Sequence, residues 1–321
     1  MSGAAVRELI FHHYPNSPFS EKIRLIFGYK KLAWKSVLIP PVMPKPNLTA
    51  LTGGYRRTPV LQIGADIYCD TALIADVLEQ IAPAPALYPA EVEGASRTLA
   101  QWADSTLFWT VIAYVFQPVA MPHLLGPLTP EQMKAFAADR AAMRGNAPRM
   151  SVGEATGSLR EYLRRLENML ADGKPFLLGS AASIADFSVY HCIWFLQLAK
   201  PLASILDAAP RLKEWADRMA AFGHGEPEKL RSESALEIAA QASAAAADLP
   251  FVDTHGIARG ERVTITPVDY ALDPVEGELI VSTDTAWAVR RTDPVAGEVV
   301  VHFPRIGFQL KKIQTNSGEQ T

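Results

Sequence analysis

The run Arg56-Arg57-Thr58-Pro59-Val60-Leu61, followed by Ile67-Tyr68-Cys69-Asp70-Thr71 and then Ala72-Leu73-Ile74-Ala75-Asp76-Val77-Leu78-Glu79, is the stretch from which the fold is read. Thr58 to Ile63 and Ala65 to Cys69 are short apolar runs hinged at Gly64, which predicts a hairpin, and Asp70 to Ile81 carries apolar residues at helical spacing. Thr58-Pro59 at the mouth of the hairpin is a candidate cis bond. An Asp-Thr pair opening a helix gathers a carboxylate, a hydroxyl and free amides where a small anion would sit. Upstream, Leu9 to Tyr14 reads as a buried strand bounded by Pro15-Asn16. Phe19, Ile23, Ile26 and Phe27 then mark a helix with Pro18 in its first turn and Lys30-Lys31 near its end. Ser17 stands at the junction. Val37-Leu38-Ile39 predicts a second strand, and the prolines of Pro40-Pro41-Val42-Met43-Pro44-Lys45-Pro46 predict a long loop.

Together these residues resemble the thioredoxin-like first domain of the cytosolic glutathione transferases, over roughly the first two thirds of the chain. Pro83 to Pro89 reads as a linker. Beyond it, Arg97 to Phe116, Pro130 to Met143, Gly153 to Ala171, Ser183 to Leu198 and Ala209 to Phe222 are expected helices. Ser183-Ile184-Ala185-Asp186, with Gly179 before it, has the form of a capping box and resembles the folding box of transferase second domains, a feature of fold rather than catalysis. Glu226 to Asp248 is Ala-rich and is expected to be a helix or helical linker. From Leu249 the chain turns strand-like at Val263-Thr264-Ile265-Thr266, Glu278-Leu279-Ile280-Val281, Trp287-Ala288-Val289-Arg290, Val299-Val300-Val301-His302-Phe303 and Phe308-Gln309-Leu310. Asp273-Pro274-Val275-Glu276-Gly277-Glu278 recurs as Asp293-Pro294-Val295-Ala296-Gly297-Glu298, which suggests two related hairpins in a small antiparallel sheet or partly open barrel. The expected architecture is an α/β thioredoxin-like domain (7–84), an all-α helical domain (92–248) and a small C-terminal antiparallel β domain (249–321).

Composition limits the functions available. At 321 residues the chain is long enough for two or three domains. No uninterrupted apolar segment approaches the ~20 residues of a membrane helix. Met1-Ser2-Gly3-Ala4-Ala5-Val6-Arg7-Glu8 lacks a secretory apolar core, so a cytoplasmic location is expected. A net charge of −3 gives no basic excess with which to bind nucleic acid. The two cysteines, Cys69 and Cys192, lie in apolar surroundings and read as buried reduced thiols. His12 and His13 lack a spaced partner set for a metal; as neighbours on a strand, one is expected in the core and one at the surface.

The resemblance implies glutathione as co-substrate. A free thiol titrates near ~8.5, and each unit of depression takes about 1.4 kcal/mol of thiolate stabilisation. Ser17 is placed to donate a hydroxyl to the sulfur beside a helix N-terminus, as in the serine-type classes; it could also serve only to cap that helix. Tyr14 is its rival, and Ser20 lies one turn too far along. The resemblance further implies that Thr58, before Pro59, offers its backbone to the cysteinyl portion, that Asp70 and Thr71 take the γ-glutamyl end, and that Arg57 meets the glycyl carboxylate, for which a planar guanidinium is suited. Asp104 stands for the acid a partner subunit lends to the glutathione ammonium in a homodimer. Trp102, Phe108 and Trp109, with Tyr114 and Phe116, offer an apolar surface for a small electrophile, or simply pack their helix.

Two functions follow. One is a transferase in which Ser17 stabilises the glutathione thiolate for attack on an electrophilic carbon. The other is a non-catalytic binding or scaffold protein that keeps the fold and uses the β-rich tail for partner contacts. Arg56 where the family often has glycine, and Gly53-Gly54-Tyr55 where it has Asn-Pro, favour the second; the Ser17, Thr58-Pro59 and Asp70-Thr71 set favours the first.

Overall fold

The computed structural model describes residues 8–145, 149–245 and 251–314. The expectation for Met1 to Arg7 and the proposed boundary at Asp248 and Leu249 fall outside the described residues. Among the described residues, no helix is long and apolar enough to cross a membrane.

The first domain runs β1 (Ile10–His13), α1 (Pro18–Tyr29), β2 (Ala33–Leu38), α2 (Pro46–Thr52), β3 (Val60–Ile63), β4 (Asp66–Cys69) and α3 (Thr71–Ile81). β1 lies between a parallel β2 and an antiparallel β3, and β4 closes the hairpin on β3. This is the thioredoxin-like arrangement expected. The proline-rich run is shorter as a loop than expected, because Pro46 starts α2, where a missing N–H costs nothing, and the helix stops at Gly53 with φ of +74°. Both faces of β1 are covered: Phe11 enters the core shared with the helical domain and Ile10 the core on the opposite side. The expectation of one surface histidine therefore fails, and His12 and His13 are both buried. A central strand of a sheet covered on two sides has no solvent face. Each ring finds a partner, His12 Nε2 at 2.9 Å from Gln62 Oε1 and His13 Nε2 at 2.9 Å from Ser36 Oγ.

The second domain is helical: α4 (Glu93–Trp102), α5 (Phe108–Val115), α6 (Met121–Leu125), α7 (Pro130–Arg144), α8 (Val152–Met169), α9 (Ile184–Leu198) and α10 (Pro210–Ala220). A π-helical turn, Ala103–Leu107, separates α4 from α5 inside what the sequence predicts as one helix. α9 is apolar nearly all round and forms the centre of the domain, as a helix without a polar face must. Its first turn is fixed by Asp186, fully buried, which accepts from the Ser183 amide (2.9 Å), the Ser183 hydroxyl (3.0 Å), the Leu177 amide (2.9 Å) and Trp215 Nε1 (3.0 Å). Burial raises the Asp186 carboxyl above its ordinary range, against these four donors.

The C-terminal part comprises β5 (Glu226–Lys229), α11 (Ser232–Gln241), β6 (Arg262–Pro267), β7 (Val275–Ser282), β8 (Ala286–Asp293), β9 (Gly297–Pro304) and β10 (Phe308–Lys312). The helix expected from Glu226 begins only at Ser232. Glu226 to Lys229 instead adds a parallel strand to the edge of β2. The chain enters it through Gly225, at φ of +67°, where a Cβ would lie 2.4 Å from the Leu32 carbonyl oxygen. β6 to β10 are antiparallel among themselves, and β9 pairs in parallel with β4.

Among the described residues the result is one ten-stranded sheet, ordered β10-β6-β7-β8-β9-β4-β3-β1-β2-β5. A single core joins Val60, Ile67 and Cys69 of the first domain to Leu236 of α11 and to Val289, Val301 and Phe303. Buried polar groups tie the same seam: Asp66 accepts from His302 Nε2 (2.8 Å) and from the Ala245 amide (2.7 Å). The sequence repeat is not repeated in structure. Asp293 to Gly297 is the β8–β9 turn, in which Asp293 Oδ1 accepts from the amides of Val295 (2.8 Å) and Ala296 (3.1 Å). The first copy runs from a loop straight into β7.

Candidate functional site

Ser17 is the N-cap of α1, extended in backbone and buried, and its Oγ accepts from the Ser20 amide at 3.2 Å. The capping role is therefore real. Accepting a bond leaves the hydroxyl proton free to donate elsewhere. The junction before it is clamped by Arg24, which bonds the carbonyls of Tyr14 (3.3 Å) and Pro15 (2.8 Å) while Glu21 holds its other edge at 2.7 Å. His13 lies 3.1 Å from the same guanidinium, and burial together with Arg24 pushes its pKa down to about 3. A neutral ring with Nδ1 accepting from Arg24 is the consequence. Among the described residues the buried Oγ of Ser20 has no hydrogen-bond partner. Tyr14 is half-buried, with Lys45 Nζ 5.9 Å from its ring centre.

Thr58 precedes Pro59 across a cis peptide at the start of β3. Its hydroxyl accepts from Lys45 Nζ at 3.1 Å, and that lysine, buried and close to Arg140 and Arg56, is brought down to about 8. Asp70 caps α3 through the Ala72 amide (2.9 Å) with φ of +74° and ψ of 137°, a conformation uncommon outside glycine and one that collects at ligand sites. Burial raises the Asp70 carboxyl, and Arg57 and Lys22 act to lower it, so both cations lie within reach of its charge. Thr71 Oγ1 accepts from Lys22 Nζ at 3.2 Å.

Lys22 connects the two domains. Fully buried, it also donates to Asp104 Oδ2 at 2.6 Å. Asp104 sits on the π-helical turn, and its other oxygen lies 3.0 Å from His191 Nε2 on α9. Burial would raise the Asp104 carboxyl, but Lys22 and His191 hold it below the ordinary range. Within the chain Asp104 is engaged by Lys22, His191 and Ser188.

Arg57 is buried, and its Nη2 donates to Asp269 Oδ1 and to the Tyr270 carbonyl, both in the β6–β7 loop. The Tyr270 ring lies 3.8 Å from the guanidinium carbon and meets the Trp109 ring edge-on at 5.0 Å. The aromatic candidates thus separate. Trp109 faces the β6–β7 loop, and Phe108 packs on Phe19 (4.6 Å) at the start of α1. Trp102 packs on Tyr162 of α8, Tyr114 bonds the Leu202 carbonyl, and Phe116 lies among Phe136 and Phe195.

Sequence reasoning missed Lys22, Lys45, His191, Asp269 and Tyr270 as neighbours of these residues. Lys22 and His191 carry the only early signal, a lysine and a histidine on otherwise apolar helix faces. Asp269 and Tyr270 have none, since their relevance depends on β9 docking beside β4. Among the described residues no cluster of three or more His, Cys, Asp or Glu side chains could hold a metal.

The geometry defines a thioredoxin-like domain joined to a helical domain, with Lys22 and Asp104 paired between them, and known proteins share the two-domain fold. Residues 11–86 match the glutathione S-transferase N-terminal domain and residues 134–218 the glutathione S-transferase C-terminal domain. A GST-like protein from Pseudomonas syringae, known from a crystal structure, is 45% identical with a TM-score of 0.80, covering 96% of this chain and 100% of that one. The chain belongs to the glutathione S-transferase superfamily. The extent of the Pseudomonas match carries the likeness through the C-terminal strands. A glutathione S-transferase from Rhodospirillum rubrum shares the fold at 18% identity and a TM-score of 0.51, covering 66% of this chain and 88% of its own. FtsZ-localized protein A of Caulobacter vibrioides is 25% identical over 187 residues, 56% of this chain and 74% of that protein.

Proposed function

We propose that the protein binds glutathione between its first two domains and conjugates the thiolate to a small apolar electrophile, with Ser17 as the catalytic hydroxyl. The observation that carries this reading is the bond from Lys22 to Thr71, which fastens the N-terminal half of α1, headed by Ser17, to the N-terminus of α3, headed by Asp70. Two helix N-termini with their free amides would thereby serve one ligand, a setting that favours a thiolate at one and a carboxylate at the other. Thr58 would pair its backbone with the cysteinyl portion, Asp70 and Thr71 would take the γ-glutamyl end, and Arg57 would face the glycyl end. The Ser17 hydroxyl, already accepting from Ser20, would spend its proton on the sulfur. Phe108 and Trp109 would line the electrophile's side. Asp104 would hold Lys22 in place and, in a homodimer, lend its charge to the glutathione ammonium of the other subunit. A homodimer and a cytoplasmic location go with this reading.

The test is turnover of glutathione with a chlorodinitrobenzene electrophile. Ser17→Ala should lower kcat by about tenfold or more, as loss of one or two units of thiolate stabilisation requires. Unchanged turnover would end the catalytic assignment.

The second reading is a non-catalytic binding protein. Two observations favour it: Arg57 is already engaged within the chain, and a relative carries the name FtsZ-localized protein A. A folded wild-type protein that neither binds glutathione nor turns over an electrophile would select it.

A further inference from the structure

Arg57 is the centre of an arrangement whose purpose neither reading explains. Its side chain is only 8% exposed, its Nη2 is taken by the Asp269 carboxylate and the Tyr270 carbonyl, and its Nε is buried with no partner among the described residues. The loop that reaches it is built into the molecule. Ala271 adopts φ of +46°, is buried, and donates its amide to the Met143 carbonyl of α7 at 2.6 Å. Val268 donates to the Gly307 carbonyl at 3.0 Å, and the Tyr270 ring is fixed between Arg57 and Trp109. A non-glycine residue held in the left-handed region by contacts on both sides marks a backbone that the surroundings specify. The loop thus bridges the C-terminal strands and the helical domain across the arginine.

We propose that the β6–β7 loop is a ligand-selecting wall of the thiol site, in which Asp269 holds Arg57 in place of a ligand's terminal carboxylate. This rests on the reading of Arg57 as part of a glutathione-type site. A carboxylate paired with a guanidinium in a partly desolvated pocket satisfies the cation, and a second carboxylate arriving there must displace the first or be repelled by it. The ligand class that fits is a γ-glutamyl thiol whose C-terminal end is uncharged or extended by an amide or ester.

Calorimetric titration of the full chain with glutathione and with its glycyl monoethyl ester tests this, because the ester caps the glycyl carboxylate and removes the charge that Asp269 would oppose. The wild type should bind the ester at least as tightly as glutathione. Asp269→Asn, checked for folding by its thermal midpoint, should reverse the order and favour glutathione by about tenfold, the scale of one charge-assisted bond. In Arg57→Gln, where Asp269 keeps its charge without the guanidinium beside it, the preference for the ester should persist, and a switch to glutathione would overturn the role of Asp269. Preference for glutathione in the wild type, or an unchanged preference in Asp269→Asn, would overturn the selecting role while leaving the thiol site standing. No binding of either thiol by the folded wild type and Asp269→Asn would overturn both.

Discussion

Asp66→Ala probes whether the C-terminal strands are part of the first domain's sheet or a separately folding attachment. Asp66 is buried on β4, and its two oxygens accept from His302 of β9 at 2.8 Å and from the Ala245 amide at 2.7 Å. Alanine leaves the buried His302 ring without its acceptor, while the amide of the exposed Ala245 can turn to water. A buried unsatisfied donor costs about 1–3 kcal/mol, so a loss of about 2 kcal/mol is expected. That is a large share of the roughly 5–15 kcal/mol typical of a folded domain. Val301 and Ile67, paired across the seam, share one core with Val60 and Leu236, so the loss should be felt on both sides. Urea unfolding followed by circular dichroism should show a lower midpoint with the slope unchanged. Hydrogen exchange should show β3 and β4 losing protection together with β8 and β9. Lost protection confined to β6 to β10, with β1 to β4 untouched, would refute the single sheet.

Further consequences can be checked on the same material. Truncation before Glu226 would uncover the β4 edge and the core around Ile67 and Val60, so the shortened chain should aggregate on expression; a soluble, cooperatively folded product would contradict the shared core. Asp186→Ala leaves four buried donors unpaired and should cost about 3–5 kcal/mol, read as a lowered urea midpoint; a change under about 1 kcal/mol would mean that the first turn of α9 is fixed by other contacts. Stability should also fall in mild acid. Burial pushes His12 down to about 4, and burial with Arg24 pushes His13 to about 3, whereas the unfolded rings titrate near ~6.5. Below that value the unfolded chain takes up protons that the native state refuses, so the histidines' contribution is intact above pH 6.5 and declines as pH drops toward the folded values. About 2 kcal/mol for each should be lost between pH 6.5 and 4.5; a urea midpoint that did not move over that interval would sink the argument.

The hairpin around Gly64, the α1 and α3 helices and the buried α9 were legible because each depends on local pattern: apolar alternation, a first-turn proline, a capping serine, an unbroken apolar helix. The placement of the C-terminal strands was not. Each strand could be read from its β-branched residues, but the parallel pairing of β9 with β4 involves residues more than 230 positions apart, such as Asp66 and Val300, and no local signal encodes it. Glu226 to Lys229 was misread for the same reason, since its polar sequence becomes a strand only by pairing with β2. In the candidate site, the residues at helix starts could be found from capping patterns, whereas the ring of partners around Arg57 depends on a distant loop. The expectation of one exposed histidine failed because alternation assigns a solvent face only to a sheet with an open side.

The central claim is that Ser17 and the α1 N-terminus stabilise a bound thiolate. Ultraviolet titration of glutathione bound to the wild type and to Ser17→Ala tests it most directly. The account predicts a bound thiol at least about one unit below the free value of ~8.5 in the wild type, and a return toward that value in Ser17→Ala. A bound thiol that ionises at the same pH in both proteins would contradict it.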